Sequence, residues 1–420
     1  TFALQTQVSF GPMEKIMQFL IILLGIGVSS ACPVKCFCYP KLVDCRGLAL
    51  QNIPPYIRSG TETLFLDRNS LISIPHNAFG DFANLSYLGL SNNRLHLQNY
   101  TFEPLLKLQT LDLSANHLSE LGEILLGNLS NLTWLNLANN KLGRFPPVTS
   151  LAKLTYLDLS NNELVVFQET FKHLPQLDTL FLNDNQLKTL PETGFDQLFL
   201  LEVLDLSNND LRSLPSRFFN NHRKLTDLRL DGNRLKNLTA TSFPRLDNLQ
   251  YLTISGNGII NFPPQLFGNL TKLLKLDLSN NSLTFLPNNF LSNLAALQVL
   301  KLSDNFIDKL AAGIFKYNPK LLYLHLDSNN LSTLPVFEGL QQLEELTLSF
   351  NRLVGFPREF ADNLIKLECL QATSNLIGQW DLEGFRNTSS VLLANNPICS
   401  SKGEEARVQF TNIDCAKNHC

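Results

Sequence analysis

Along most of the chain, two leucines separated by one variable residue recur at short intervals, as in Leu64 and Leu66, Leu88 and Leu90, Leu111 and Leu113, or Leu135 and Leu137. Three residues after the second leucine stands an asparagine, and two residues later another leucine or isoleucine. The asparagines form a ladder at Asn69, Asn93, Asn116, Asn140, Asn162, Asn185, Asn209, Asn233, Asn257, Asn281, Asn305, Asn329, Asn351, Asn375 and Asn396, fifteen rungs spaced 21 to 24 residues apart. Alternation with period two puts both leucines of a short strand on one face and the residue between them on the other. Stacked copies predict a parallel sheet with a continuous apolar interior. Where the chain leaves each strand, inward-facing backbone groups lose their ladder partners, and leaving them unpaired is costly. An asparagine amide, both donor and acceptor, can serve its own coil and the next.

A second column supports the same periodicity. Phe79, Phe102, Phe171, Phe195, Phe219, Phe243, Phe267, Phe290, Phe315, Phe360 and Phe385 lie nine or ten residues after their asparagines, so phenylalanine is predicted to fill the side of the coil opposite the strands. Pro75, Pro146, Pro191, Pro215, Pro263, Pro287, Pro335 and Pro357 fall in that same part of the repeat and argue for turns or 3₁₀ segments there in place of long helices. The strand motif, the asparagine ladder and the phenylalanine column together resemble the leucine-rich repeat of the 24-residue class, from about Ile53 to Ile398. The resemblance implies an α/β leucine-rich-repeat solenoid, a right-handed horseshoe with a concave parallel sheet of about fifteen strands, roughly 70 Å along its arc at about 4.8 Å per strand.

A solenoid exposes apolar core at each end unless atypical units cover it. At the N-terminal end, Cys32, Cys36, Cys38 and Cys45 resemble the cysteine-rich cap of extracellular members of this family, which implies pairs Cys32 with Cys38 and Cys36 with Cys45. At the other end stand Cys369, Cys399, Cys415 and Cys420, for which three pairings are open. Asn396-Pro397-Ile398-Cys399 resembles the start of a flanking cap, but Ser400 and Ser401 stand where the family continues with a second cysteine. Disulfides are expected at Cys399, Cys415 and Cys420. Cys369, on a strand, is left unassigned, and one thiol is expected to be free or intermolecular. The expected organisation is upstream residues plus an export signal over 1–31, an N-terminal cap over 32–60, repeats over 61–396 and an atypical C-terminal cap over 397–420.

The export signal is read from Lys15, an apolar run from Phe19 to Gly27, and small residues Ser29, Ser30 and Ala31 ahead of Cys32. The run is too short to span a bilayer, which takes about 20 apolar residues, and no second such run follows. A secreted chain with neither a membrane span nor a lipid anchor is therefore expected, and the oxidising compartment favours disulfides over a zinc site for the clustered cysteines. Nine Asn-x-Ser/Thr sequons, at Asn84, Asn99, Asn128, Asn131, Asn237, Asn269, Asn280, Asn330 and Asn387, are candidate glycosylation sites.

Composition and charge narrow the function. A formal net charge of −3 gives no bulk attraction for nucleic acid. Seven scattered histidines, with no nucleophile motif, metal-ligand spacing or glycine-rich phosphate loop, point away from an enzyme and from any cofactor or metal. The variable positions of each strand are where sequence is free to change, and aromatic residues there need a reason. Candidate ligand-binding residues on the concave face are Tyr87, Trp134, Tyr156 and Phe181 as an apolar anchor, Asp227, Arg229 and Tyr251 as one polar cluster, and Lys301, Tyr323 and His325 as another. Asp112, Asp158, Asp205 and Asp277 sit in Leu-Asp-Leu-Ser, common filler in the family, and are expected to be solvated. The resulting expectation is a secreted glycoprotein that binds an extracellular or matrix protein, with self-association through the C-terminal cap or an unpaired cysteine as a further partner mode. Two alternatives stand beside it: a matrix organiser resembling the small leucine-rich proteoglycans, and a soluble immune-type recognition or inhibitor protein.

Overall fold

The computed structural model describes residues 32–122, 124–146, 148–166, 169–191, 193, 195–378, 385, 388–401 and 413–416. The expected export signal, the sequon at Asn387 and Cys420 lie outside the described residues. The chain opens with β1 (Phe37–Cys38) and β2 (Leu42–Asp44), followed by β3 (Thr63–Phe65), β4 (Tyr87–Gly89), β5 (Thr110–Asp112), β6 (Trp134–Asn136) and β7 (Tyr156–Asp158). Next come β8 (Thr179–Phe181), β9 (Val203–Asp205), β10 (Asp227–Arg229), β11 (Tyr251–Thr253), β12 (Lys275–Asp277) and β13 (Val299–Lys301). The series ends with β14 (Tyr323–His325), β15 (Glu345–Thr347), β16 (Cys369–Gln371), β17 (Ser390–Leu392) and β18 (Ile413–Asp414).

Each strand from β2 onward pairs in parallel with its successor, residue against residue, as Leu135 against Leu157 and Leu157 against Leu180. β1 folds back antiparallel on β2 at the first edge, pairing Phe37 with Asp44. The sheet is longer than the repeats alone, because β2 of the N-terminal cap and β18 near the C-terminus add a parallel strand at each end. The central leucine of each repeat strand is fully buried, for example Leu64, Leu135 and Leu252 at 0% exposure. Between strands the chain runs through turns, with a 3₁₀ helix at Glu169–His173 and a short helix at Pro397–Ser401.

The asparagine ladder does the predicted bonding. The Asn93 amide nitrogen donates to the Leu66 and Leu90 carbonyls, each at 3.0 Å, while its oxygen accepts from the Leu71 N–H at 3.0 Å. The same three-way pattern recurs at Asn209, toward Leu182 and Leu206 carbonyls and the Leu187 N–H, and at Asn329, toward Leu302, Leu326 and Ile307. The residue just before each ladder asparagine turns left-handed, as at Asn161 (φ 51°) and Asn208 (φ 52°), which favours asparagine, aspartate or glycine there.

Phenylalanines stack along the back of the coils, Phe243 against Phe267 with ring centroids 6.3 Å apart and Phe171 against Phe195 at 5.0 Å. Three rungs before the last lack a phenylalanine at the expected offset, those beginning at Asn116, Asn140 and Asn329. At Asn116 the buried Leu125 and Leu126 take the place; the other two rungs are 22 residues long. Phe145 and Phe337 enter the stack from earlier positions there, 6.2 Å from Phe171 and 5.0 Å from Phe360 respectively.

Disulfides join Cys32 to Cys38 and Cys36 to Cys45 in the N-terminal cap, the pairs the cap resemblance implies, and Cys399 to Cys415 beyond the last repeat. The expectation of a free or intermolecular thiol is corrected: Cys369 is disulfide-bonded, and no described cysteine is free. Cys369 belongs to β16 and is almost fully buried on the sheet; the absent second cysteine of the usual flanking cap gave no hint that a strand residue would be recruited to a bridge.

Candidate functional site

The first and third residues of each three-residue strand point away from the buried leucines and form two columns on the open side of the sheet. In the first column Trp134 and Tyr156 are direct neighbours across β6 and β7. Their rings stack 5.0 Å apart at 12°. Phe181 stands in the third column of β8, opposite Asp158, and its ring still reaches that of Tyr156, 5.7 Å away at 60°. All three side chains are half-buried. They make one aromatic surface held by hydrogen-bonded strands. Tyr87 does not join them: Thr110 lies between it and Trp134. It packs on Phe65 at 4.9 Å, and the Arg46 guanidinium lies over the Phe65 ring, 4.7 Å from its centroid. Phe65 was missed from sequence although an aromatic residue between two strand leucines is the signal that drew attention to Phe181.

The aspartates of the third column correct a second expectation. They are only partly solvated. Asp205 is buried, Asp112, Asp158 and Asp277 are half-buried, and each turns one carboxylate oxygen to the backbone N–H and hydroxyl of the serine two residues on, at 2.9–3.1 and 2.6–2.7 Å. Asp67 serves Ser91 of the next coil in the same way. Burial raises the Asp112 carboxyl to about 6, with Asp67 and Asp158 adding repulsion, and raises Asp67, Asp158 and Asp205 in the same direction. Burial together with these carboxylates also raises the Tyr87 and Tyr156 hydroxyls. From β3 to β9 neither column carries a lysine or arginine, so this half of the face is aromatic and negative.

The other predicted clusters come together, but their charges are spent internally. Asp227 and Tyr251 are neighbours across β10 and β11. Arg229 is held by both oxygens of Asp227, at 3.2 and 2.9 Å, and lies 3.6 Å from Asp205. Lys301 sits opposite His325 and reaches back to Asp277 at 3.8 Å. His325 shares a hydrogen bond with Thr347 at 3.2 Å, and burial lowers its basicity. The Tyr323 hydroxyl donates to Glu344 at 3.1 Å. Among the described residues no group of three or more His, Cys, Asp or Glu could hold a metal ion.

Of the candidate glycosylation sites, Asn84, Asn99, Asn128, Asn237, Asn269 and Asn280 are exposed and Asn131 and Asn330 half-buried. The Asn131 amide is engaged on both sides, donating to the Leu106 carbonyl at 2.8 Å and accepting from Lys153 at 2.7 Å. Asn280 is the one of these just before a ladder asparagine, next to the open face of β12.

A sequence profile described as Leucine rich repeat matches residues 106–164, 152–211, 199–259, 248–307 and 296–353, a continuous stretch of more than half the chain. Mouse leucine-rich repeat-containing protein 52 is 37% identical over 95 residues, 22% of this chain and 29% of that protein. The chain spans less than a third of the length of the curated relatives it matches. Among solved structures, a chain of the glycosylated Toll–Spatzle complex of Drosophila superposes with a TM-score of 0.73 at 25% identity, covering 80% of this chain and 48% of that one. A chain of a TLR13-ssRNA13 complex gives 0.67 at 28% identity, covering 78% and 52%. With the repeat profile running through the ladder asparagines and buried leucines of coil after coil, the chain belongs to the leucine-rich-repeat family.

Proposed function

We propose that the chain is a secreted recognition glycoprotein that binds a protein partner on the open face of its sheet, centred on Trp134, Tyr156 and Phe181. The observation that carries the reading is the aromatic surface itself. Three large rings in contact, half-buried on a rigid sheet, are costly to leave facing water and are the residue types that dominate binding hot spots. The sheet fixes them before the partner arrives, so little side-chain entropy is lost on binding. Disulfides in both end regions and exposed sequons away from the ring cluster support an extracellular setting. Among the described residues no helix is long and apolar enough to cross a membrane. Asp227, Arg229, Tyr251, Lys301, Tyr323 and His325 form the polar flank of the same face in this reading, contributing specificity through already oriented pairs. Tyr87 marks its other end.

One structural neighbour is named for a complex with single-stranded RNA, but phosphate backbones are bound by cations, and the columns around these rings supply none. The chemistry favours a polypeptide. Affinity purification from extracellular fluid with the full chain as bait, followed by mass spectrometry, tests this. A protein captured by the wild type and lost with Trp134→Ala is the expected result. A capture profile unchanged by Trp134→Ala and Tyr156→Ala, or one consisting of nucleic acid, overturns it.

A further inference from the structure

The first coil shows how this face receives a guanidinium. Asp44 on β2 stands opposite Phe65 on β3. Arg46, two residues after Asp44, lays its guanidinium over the Phe65 ring and binds both Asp44 oxygens, at 2.9 and 2.7 Å. Aromatic face and carboxylate thus hold one planar cation between adjacent strands, a stacked and bidentate geometry that arginine fits and lysine does not.

The same pair recurs in the middle of the open face without its cation. Asp158 on β7 stands opposite Phe181 on β8, in the register of Asp44 and Phe65. Two residues after Asp158 comes Ser160, where the first coil has Arg46. Asp205 flanks Phe181 on the other side, across β9. Its outer oxygen lies 3.6 Å from Arg229, so Asp158 is the less neutralised of the two. One Asp158 oxygen serves Ser160; the other has only the Tyr156 hydroxyl, at 3.5 Å. A half-buried carboxylate beside an aromatic ring, with no cation in either column from β3 to β9, is a charge waiting for its complement.

We propose that the Asp158, Phe181 and Asp205 surface takes the guanidinium of an arginine side chain from the partner protein, in the way the first coil takes Arg46. This rests on the concave-face reading above and names the chemistry of its partner: a segment presenting arginine next to an apolar residue that can lie on Trp134 and Tyr156.

The test uses the immobilised full chain and the peptide Ac-(Gly-Arg)₄-NH₂, with versions in which lysine or citrulline replaces arginine. Citrulline keeps the shape and removes the charge; lysine keeps the charge and removes the plane. Interferometry is expected to show arginine binding at least tenfold tighter than citrulline and about threefold tighter than lysine. Asp158→Asn and Phe181→Leu each lose at least fivefold, and Asp277→Asn, in the same column on β12, changes nothing. Asn136 already occupies this column and caps the Ala138 N–H as the aspartates cap serine, so Asp158→Asn keeps the local fold. Equal binding of the citrulline or lysine peptide, or arginine binding that survives both variants, overturns the proposal. Protein capture that falls with Trp134→Ala but not with Asp158→Asn retires the arginine site and leaves the concave-face reading standing; capture indifferent to both retires the two together.

Discussion

Asp112 and Asn209, on different coils, occupy two niches of the repeat that lie a few residues apart in each coil, and they are held for opposite reasons. Asn209 is neutral, and every polar atom it buries finds a backbone partner. Asn209→Ala leaves the buried Leu187 N–H unpaired, worth about 1–3 kcal/mol, and takes one of two donors from each of the Leu182 and Leu206 carbonyls, which keep Asn185 and Asn233 respectively; denaturant unfolding should show a loss of about 2–3 kcal/mol. Asn208→Ala, one residue earlier and exposed, gives up its left-handed preference and a solvent-facing hydrogen bond to Asp184, about 1 kcal/mol. Asp112 instead buries a charge whose only close donors are Ser114 groups, and burial pushes its carboxyl up to about 6. An acid whose folded value lies above its unfolded one destabilises the fold when ionised. That penalty is fully present above pH 6 and fades as pH falls toward the ordinary carboxylate value. Asp112→Asn should therefore raise the free energy of unfolding at pH 7.5 by about 1–3 kcal/mol, read as a higher Tm, and the gain should shrink by pH 4.5. A pH-independent gain would contradict the assignment. The sequence showed where these aspartates stand but not that they are enclosed, because Leu-Asp-Leu-Ser reads the same whether or not neighbouring coils carry bulky rings such as Tyr87 and Tyr156.

The coil is the unit that the hydrophobic pattern specifies, and its strand and ladder positions could be placed to the residue. Its back could not be placed everywhere. Phe145 and Phe337 escaped the nine-or-ten-residue rule on two 22-residue rungs, whereas the 21-residue rung at Asn375 keeps Phe385 at ten, so length does not say which residue will be drawn in. Over Phe145 to Phe290 and again over Phe315 to Phe385 the rings pack one against the next. Phe243 is 2% exposed and lies between Phe219 and Phe267. Phe243→Ala opens a cavity that its neighbours cannot close without breaking their own stack, at a cost of about 3–5 kcal/mol. Thermal unfolding indistinguishable from wild type would reject the column. The cysteine pairs divide along the same line: the N-terminal cap is a compact local motif and its pairs followed from resemblance, whereas the state of Cys369 depends on what the end of the chain does in space.

Stacked coils share neighbours but no centre, so the described residues form one long apolar interior, with β2 and β18 extending the sheet beyond the repeats. Such a body has an unusually large sheet face relative to its core, and this chain divides that face. The N-terminal half is aromatic and acidic; from β10 onward arginine and lysine appear, Arg229 and Lys301 already paired with aspartate. Which columns face outward could be read from period two, and so could the presence of Trp134, Tyr156 and Phe181. That these rings touch across two columns, and that Tyr87 turns to Phe65 instead, depends on side-chain direction that no spacing encodes. Hydroxyl-radical footprinting of the full chain, alone and with its captured protein partner, examines that face at the level of single side chains. The account predicts strong protection of Trp134, Tyr156 and Phe181 on complex formation, with the exposed Phe199 and Tyr317 labelled as before. Unchanged labelling of the three rings, or protection confined to Phe199 and Tyr317, would contradict it.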